Sequence, residues 1–354
     1  MRWDGQLLDA EPEAGQDSAA PALPGLERAG LVRSVQTPDF DGVTFHEVLC
    51  KSALNKVPEA SQVPFRWTIN PMRGCLHQCV YCFARGTHEY LDLDAGRDFD
   101  TQIVVKMNVA AVLRKELSRR GWKREPVALG TNSDPYHRAE GRYRLMPGII
   151  GALADSGTPM SILTKGTLLR RDLPLLSLAS QKVPVSIGIS LALLDEDLRK
   201  QVEPGAPSAR ARLDLITAVR DAGLDCHVMA APILPQLTDS RGALDELFGA
   251  LASAGATSVT AFPMHLRGPT RNWYLTWLGE NHPALMKSYR QIYGRGAYTA
   301  PEYQRWLRDR TAPLIEKHGL SASTDEDPGD AVHNTLRGAA PALAPVNEPE
   351  PTLF

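Results

Sequence analysis

The sequence predicts an α/β fold: a parallel sheet with covering helices, curled into a barrel or partial barrel. Three observations lead there. Short β-type runs alternate with helical patterns six or seven times through the middle of the chain, the signature of strand–helix–strand units. No Gly-x-Gly-x-x-Gly opens a helix, which argues against a doubly wound sheet. The two ends differ in composition from everything between them.

In chain order, the β-type runs are Trp67–Ile69, Ile103–Lys106, Val127–Gly130, Ser161–Thr164, Val185–Ser190, His227–Ala230 and Ser258–Phe262. Val109, Val112, Leu113 and Leu117 recur at helical spacing between the second and third. Leu213, Ile216 and Val219 mark another helix with Gly223 as its stop, and Leu244, Leu247 and Leu251 a further one ending at Gly255. After about residue 265 the pattern turns to Trp- and Arg-rich helices (Trp273, Trp277, Trp306), a helical C-terminal extension. The expected organisation is a tail (1–31), an N-terminal extension (32–62), a core (63–265), the helical extension (266–320) and a second tail (321–354). Both tails are rich in Pro and acidic residues and poor in apolar ones, so the termini are expected to be disordered.

With 354 residues, 43% of them hydrophobic, the chain is too long and too apolar for a disulfide miniprotein, a collagen or a wholly disordered protein. No apolar run approaches about 18 residues, so no membrane-spanning helix is expected. The N-terminus does not read as a signal peptide, and the expected compartment is the cytoplasm. The net charge of −2 hides an uneven distribution: −4 in residues 1–31, −5 in 321–354 and +7 between them. Such a body could favour a polyanion such as nucleic acid. Lys106, Arg114, Lys115, Arg119, Arg120, Lys123 and Arg124 oppose only Glu116 across one short stretch, although a solvated outer helix of a barrel explains that pattern better.

Five cysteines are present, and three of them, Cys75, Cys79 and Cys82, fall within eight residues. They sit in Asn70-Pro71-Met72-Arg73-Gly74-Cys75-Leu76-His77-Gln78-Cys79-Val80-Tyr81-Cys82, directly after the first expected strand. Pro71 and Gly74 place them on a loop at the C-terminal end of that strand, where barrel active sites assemble. Three thiolates at this spacing can wrap one face of a 4Fe–4S cluster and leave its fourth iron open. Two other readings compete: a structural zinc site completed by His77 or His88, and ordinary core packing of free cysteines.

Cys-x3-Cys-x2-Cys with Tyr81 before the last cysteine resembles the radical S-adenosylmethionine (radical SAM) superfamily. The fuller string from Asn70 to Cys82 is similar to its spore photoproduct lyase-like branch over roughly residues 63–265. The resemblance implies a partial (β/α)6 barrel and two cofactors, a 4Fe–4S cluster held by Cys75, Cys79 and Cys82 and S-adenosylmethionine on the open iron. It further implies reductive cleavage of the sulfonium to methionine and a 5′-deoxyadenosyl radical that abstracts hydrogen. An external one-electron donor, a ferredoxin or flavodoxin, is implied as partner.

By the same resemblance Tyr81 lies beside the adenine, and Asn132, Ser133 and Asp134 face the cofactor's ammonium and carboxylate. Lys165 pairs with the methionine carboxylate, Ser190 contacts the ribose, and Ala231 belongs to an adenine-side segment. Glu203-Pro204-Gly205 also recurs in the branch, though its plain reading is a turn. The branch's hydrogen-donating cysteine falls at Thr131 here, and no cysteine occurs between Phe83 and Asp225. A threonine O–H bond is too strong to replace that thiol, so thymine-dimer repair by the known route is not implied. Cys226 reads as an inert buried thiol. The sequence does not identify the substrate; a nucleobase in DNA or RNA is the first candidate. The alternatives are a radical enzyme acting on a peptide or small molecule and a non-enzymatic zinc or iron–sulfur binding module.

Overall fold

The computed structural model describes residues 30–58, 61, 63 and 65–322, so the tails at 1–31 and 321–354 fall almost wholly outside the described residues. The strands are β1 (Leu31–Gln36), β2 (Thr44–Val48), β3 (Leu54–Lys56), β4 (Trp67–Ile69), β5 (Met72–Arg73), β6 (Gln102–Lys106), β7 (Val127–Leu129), β8 (Met160–Thr164), β9 (Val185–Ser190), β10 (Cys226–Met229), β11 (Ser258–Thr260) and β12 (Ser321–Ala322).

Six parallel strands in the order β4–β7–β8–β9–β10–β11 form the wall of the partial barrel. Helices fill the crossovers: Val109–Leu117 before β7, Met146–Asp155 before β8, Leu169–Ser180 before β9, Ala209–Asp221 before β10 and Arg241–Ser253 before β11. Parallel strands need such crossovers, and the covering helices bury both faces of the sheet. Ser208 and Ser240 start the last two helices by accepting from Ala211 N and Ala243 N. Each open edge carries a short extra strand, with β3 antiparallel to β4 and β12 parallel to β11. These strands occupy backbone groups that an exposed edge would offer to other chains.

The run Ile103–Lys106 departs from expectation. It forms β6 of a separate four-stranded sheet, β1–β2–β6–β5, rather than a wall strand. Phe45 of the fully buried β2 pairs with Ile103, so a partner far back in sequence captures the run, and β4 pairs directly with β7. The two sheets share one apolar core: Phe45, Ile103 and Val105 join Ile69, Leu129, Ile162, Ile187, Val228 and Val259. Lys106 likewise leaves the expected basic helix. It is 3% exposed at the end of β6, and burial lowers its pKa to about 8. The helix ends at Leu117, and Arg119, Arg120, Lys123 and Arg124 stand exposed on the following loop.

Beyond residue 265 come the helices Thr270–Asn281, Met286–Tyr293 and Pro301–Lys317 of the C-terminal extension. Among the described residues no helix is long and apolar enough to cross a membrane.

Candidate active site at the strand ends

The cysteine loop leaves β5 through Gly74, whose φ of +81° and surroundings exclude a side chain: a Cβ would lie 2.7 Å from Ile103 Cδ1 and 2.9 Å from Phe99 O. The loop is then pinned from several sides. Cys75 N donates to Phe99 O (3.0 Å), and Ser133 Oγ to Gly74 O (2.6 Å). Thr270 Oγ1 donates to Cys82 O (2.9 Å) from the start of the C-terminal extension. Arg85, fully buried, donates to Cys79 O (3.1 Å) and Gly96 O (2.7 Å) and binds both oxygens of Asp100 (2.9 and 3.0 Å). Its guanidinium lies 5.3 Å from the Phe99 ring centroid and 4.9 Å from that of Trp273.

All three thiols are free, and Cys75 and Cys79 are buried while Cys82 is partly so. Burial raises the pKa of each, so an empty loop holds thiols and metal loading must release protons. The histidines that could complete a zinc site turn elsewhere. His77 Nε2 lies 3.0 Å from Asp134 Oδ2, and His88 Nε2 is 2.9 Å from Gln102 O. Among the described residues no three His, Cys, Asp or Glu side chains converge on a single ion. A cluster offers each thiolate its own iron and needs no such convergence, so the donor set fits a cluster held by three cysteines.

Beside the loop, the ends of β7, β8 and β9 gather a buried polar group. Asp134, after β7, accepts from Thr164 Oγ1 (2.5 Å), Lys165 N (2.6 Å) and Tyr136 N (2.8 Å). Burial alone would raise its pKa, but His77 and the hydrogen bonds outweigh that and hold it well below the usual carboxylate range. Lys165, after β8, reaches across with Nζ to donate to Ser190 Oγ at the end of β9, and lies 5.8 Å from the Tyr81 ring centroid. Behind them Glu203, fully buried, accepts from the Tyr81 hydroxyl, pairs with Arg212 at 2.7 Å and lies 3.5 Å from Lys165 Nζ. Burial opposes the charge of Glu203, yet Arg212, Lys165 and Tyr81 bring its pKa down to about 2. Arg212, also fully buried, donates to Ser190 O (3.0 Å).

Of the residues singled out from sequence, Tyr81, Lys165 and Ser190 therefore meet directly. Ser133 and Asp134 stand beside them, with their hydrogen bonds spent on Gly74 O, Thr164 and Lys165 N. Asn132, whose N–H donates to Asn70 Oδ1 (3.2 Å), lines a cavity of about 230 Å³ with Asn55, Asn70, Arg73, Thr87, Tyr90 and Lys106. Ala231 is buried just past β10, two strands along from Lys165. Sequence reasoning missed Arg85, Asp100 and Arg212, named Asn70 only as part of the cysteine string, and gave Glu203 no role beyond a turn. The signal was the recurrence of Glu203-Pro204-Gly205 in the branch, and the structure supplies a reason for its glycine: Gly205 lies so close to the cysteine loop that a Cβ would fall 1.9 Å from Leu76 O. Cys226 is fully buried in β10, where burial pushes its thiol up to about 12.

Comparison with known proteins agrees with this geometry. Uncharacterised proteins of Mycobacterium tuberculosis and Mycobacterium bovis are each 64% identical over 321 residues, spanning 91% of this chain and 94% of theirs. An uncharacterised protein of Methanocaldococcus jannaschii is 26% identical over 195 residues, 54% of this chain and 69% of its own length. Spore photoproduct lyase, solved in complex with dinucleoside spore photoproduct, superposes with a TM-score of 0.59 at 17% identity over 78% of this chain and 80% of that one. A variant of that lyase with bound AdoMet gives 0.57 over 76% of this chain and 77% of that one, also at 17% identity. At such identities the likeness concerns the fold. The model of the radical SAM superfamily matches residues 69–248, a span that includes all three loop cysteines and Asp134, Lys165, Ser190, Glu203 and Arg212 beside them. With that match, the thiol loop at the mouth of a six-stranded partial barrel makes this chain a member of the radical SAM superfamily, whose cofactors are a 4Fe–4S cluster and S-adenosylmethionine.

Proposed function

We propose that this radical SAM enzyme cleaves S-adenosylmethionine reductively and takes hydrogen from a nucleobase in DNA or RNA. Cys75, Cys79 and Cys82 hold the cluster, which when bound supplies the electron that splits the sulfonium into methionine and a 5′-deoxyadenosyl radical. The observation that carries the reading is the meeting of Lys165, Ser190 and Tyr81 beside the cysteine loop. Lys165 offers the methionine carboxylate a cation already oriented by Ser190. Tyr81, fixed through its hydroxyl by Glu203, presents its ring to the adenosyl group, with Ser190 toward the ribose and Ala231 toward the adenine. Asp134 and Ser133 act by positioning: one holds the Lys165 backbone, the other the cysteine loop. Asn132 lines a cavity with Asn55 and Asn70, a polar setting suited to the hydrogen-bonding edges of a nucleobase.

The nucleic-acid substrate is supported by that cavity and by the fold shared with an enzyme solved with a dinucleoside lesion. The hydrogen donor of the known lyase route has no counterpart at Thr131, so the product need not be a repaired pyrimidine pair. The compartment that suits a reduced thiol loop is the cytoplasm. The test is anaerobic reconstitution followed by measurement of 5′-deoxyadenosine with single-stranded DNA, duplex DNA, RNA and a control peptide. Formation accelerated by a nucleic acid, with deuterium from a labelled base appearing in 5′-deoxyadenosine, supports the proposal. Deuterium arriving only from a peptide overturns the substrate and keeps the enzyme class, whereas protein with zinc and no labile sulfide overturns both.

A further inference from the structure

An electron must reach the cysteine loop from outside, and the structure shows where the loop comes closest to solvent. Cys82 is the most exposed of the three cysteines, and Phe83, the next residue, is 56% exposed. The surface around that point belongs to the C-terminal extension. Thr270 Oγ1 donates to Cys82 O, and Pro269 packs so near Gly86 that a Cβ there would lie 3.1 Å away. Residues 266–300 carry Arg267, Arg271, Lys287, Arg290 and Arg295 against the single acid Glu280. Several contacts order parts of this segment. Arg271, one residue past Thr270, donates to Gly296 O (2.5 Å) and Gly294 O (2.7 Å), which fixes the loop bearing Arg295. Gly294 N in turn donates to Arg290 O (3.0 Å), and Arg267 lies 5.0 Å from the ring centroid of the exposed Tyr298.

We propose that this basic face, with Phe83 and Tyr298 as its apolar contacts, is the docking surface for an acidic one-electron donor protein of the flavodoxin or ferredoxin kind. The assignment rests on the reading of Cys75, Cys79 and Cys82 as cluster ligands. Redox encounters use small interfaces, and opposite charge raises their on-rate without demanding a large apolar area. A cation-rich segment with a single acid, bearing the exposed Tyr298 and bonded to the residue before the exposed Phe83, has that character. Nucleic acid is the other polyanion such a face could take, but this segment is the one bonded to Cys82 O, beside the point where an electron has to enter. The exposed cations at Arg119–Arg124 lead into the N-terminal end of β7, the rim opposite the cysteine loop. In the transfer itself the donor loses one electron and the cluster gains it; no bond or proton moves.

The test uses Arg290→Glu/Arg295→Glu, with Arg290→Gln/Arg295→Gln as the milder variant and Arg120→Glu/Lys123→Glu as a control of equal charge change on the opposite rim. Two readouts are taken for each full-length reconstituted protein: affinity for oxidised flavodoxin and ferredoxin across a salt series, and the rate of cluster bleaching by the reduced donor and by dithionite. The charge reversal is expected to weaken donor binding and slow donor-driven bleaching by about tenfold or more, with the Gln variant between. Wild-type binding falls with salt, while dithionite bleaching stays the same in all proteins. An equal loss in the Arg120/Lys123 control overturns the proposal, as does a wild type that binds neither donor at low salt. So does unchanged donor binding accompanied by lost DNA or RNA affinity, which assigns the face to nucleic acid. Failure to find a nucleic-acid substrate leaves these readouts untouched, so the two proposals fail separately.

Discussion

Replacing Glu203 by Gln removes one negative charge from a place where two cations depend on it. Glu203 and Arg212 are both fully buried, their ion pair measures 2.7 Å, and Lys165 Nζ lies 3.5 Å away. Two routes give the cost. Breaking one side of a buried pair leaves an uncompensated charge, worth about 3–5 kcal/mol. Independently, a fall in pKa from 4.5 to about 2 corresponds to about 3 kcal/mol of folding free energy at neutral pH. The routes agree, so Glu203→Gln is expected to lose about 3–5 kcal/mol at pH 7, read as a lower urea midpoint of the cluster-free protein. Because the folded pKa is depressed, the stabilisation is complete above pH 4.5 and disappears as pH falls toward about 2, so the gap between wild type and variant narrows over that window. Glu203→Gln/Arg212→Met should cost less than the sum of the single changes, since the double variant strands fewer charges. A loss under about 1 kcal/mol, or strictly additive costs, refutes the network.

Four further outcomes are expected. Cys79→Ala abolishes the absorption near about 400 nm that thiolate–iron charge transfer gives a loaded cluster, along with 5′-deoxyadenosine formation; a brown, active variant contradicts the ligand assignment. Lys165→Ala weakens S-adenosylmethionine binding by about tenfold or more, measured by equilibrium dialysis, while iron and sulfide content hold. Cys226→Ala leaves 5′-deoxyadenosine production intact, and a dead variant would make that thiol a participant. His227, between Ser258 Oγ (2.8 Å) and Thr260 Oγ1 (3.2 Å), is held neutral by burial with its pKa lowered to about 4. Its contribution, up to about 3 kcal/mol, is therefore present above pH 6.5 and lost as pH falls to about 4. His227→Gln should flatten the pH dependence of Tm across that window in cluster-free protein.

What the sequence disclosed was local. Cys75, Cys79 and Cys82 carry their ligand spacing within one loop, and the wall strands announce themselves as short apolar runs because both faces of a parallel sheet are buried. Ile103–Lys106 has the same look, yet it pairs with β2, and nothing inside a four-residue run specifies its partner. The residues that brace the site were hidden for a related reason. Arg212 follows a helical pattern in which an arginine normally faces water, and only the fold brings it against Glu203. Arg85 follows the cysteine loop closely in sequence and donates to Cys79 O, but its value comes from Asp100 and Trp273, contributed by separate segments. Lys106 belonged by proximity to a run of cations and by burial to the core.

Thr270 bonds the cysteine loop at Cys82 O, and the Trp273 ring lies against Arg85, which braces Cys79 O. The barrel wall ends at Thr260, and a truncated protein stopping near residue 265 would retain all six parallel strands and the whole thiol motif. It would nevertheless lose the clasp on Cys82 O and one of the two aromatic rings flanking Arg85. Such a fragment should fold around its strands and yet leak iron. If it does, the catalytic unit extends beyond the barrel, and a minimal version has to keep the helix that begins at Thr270.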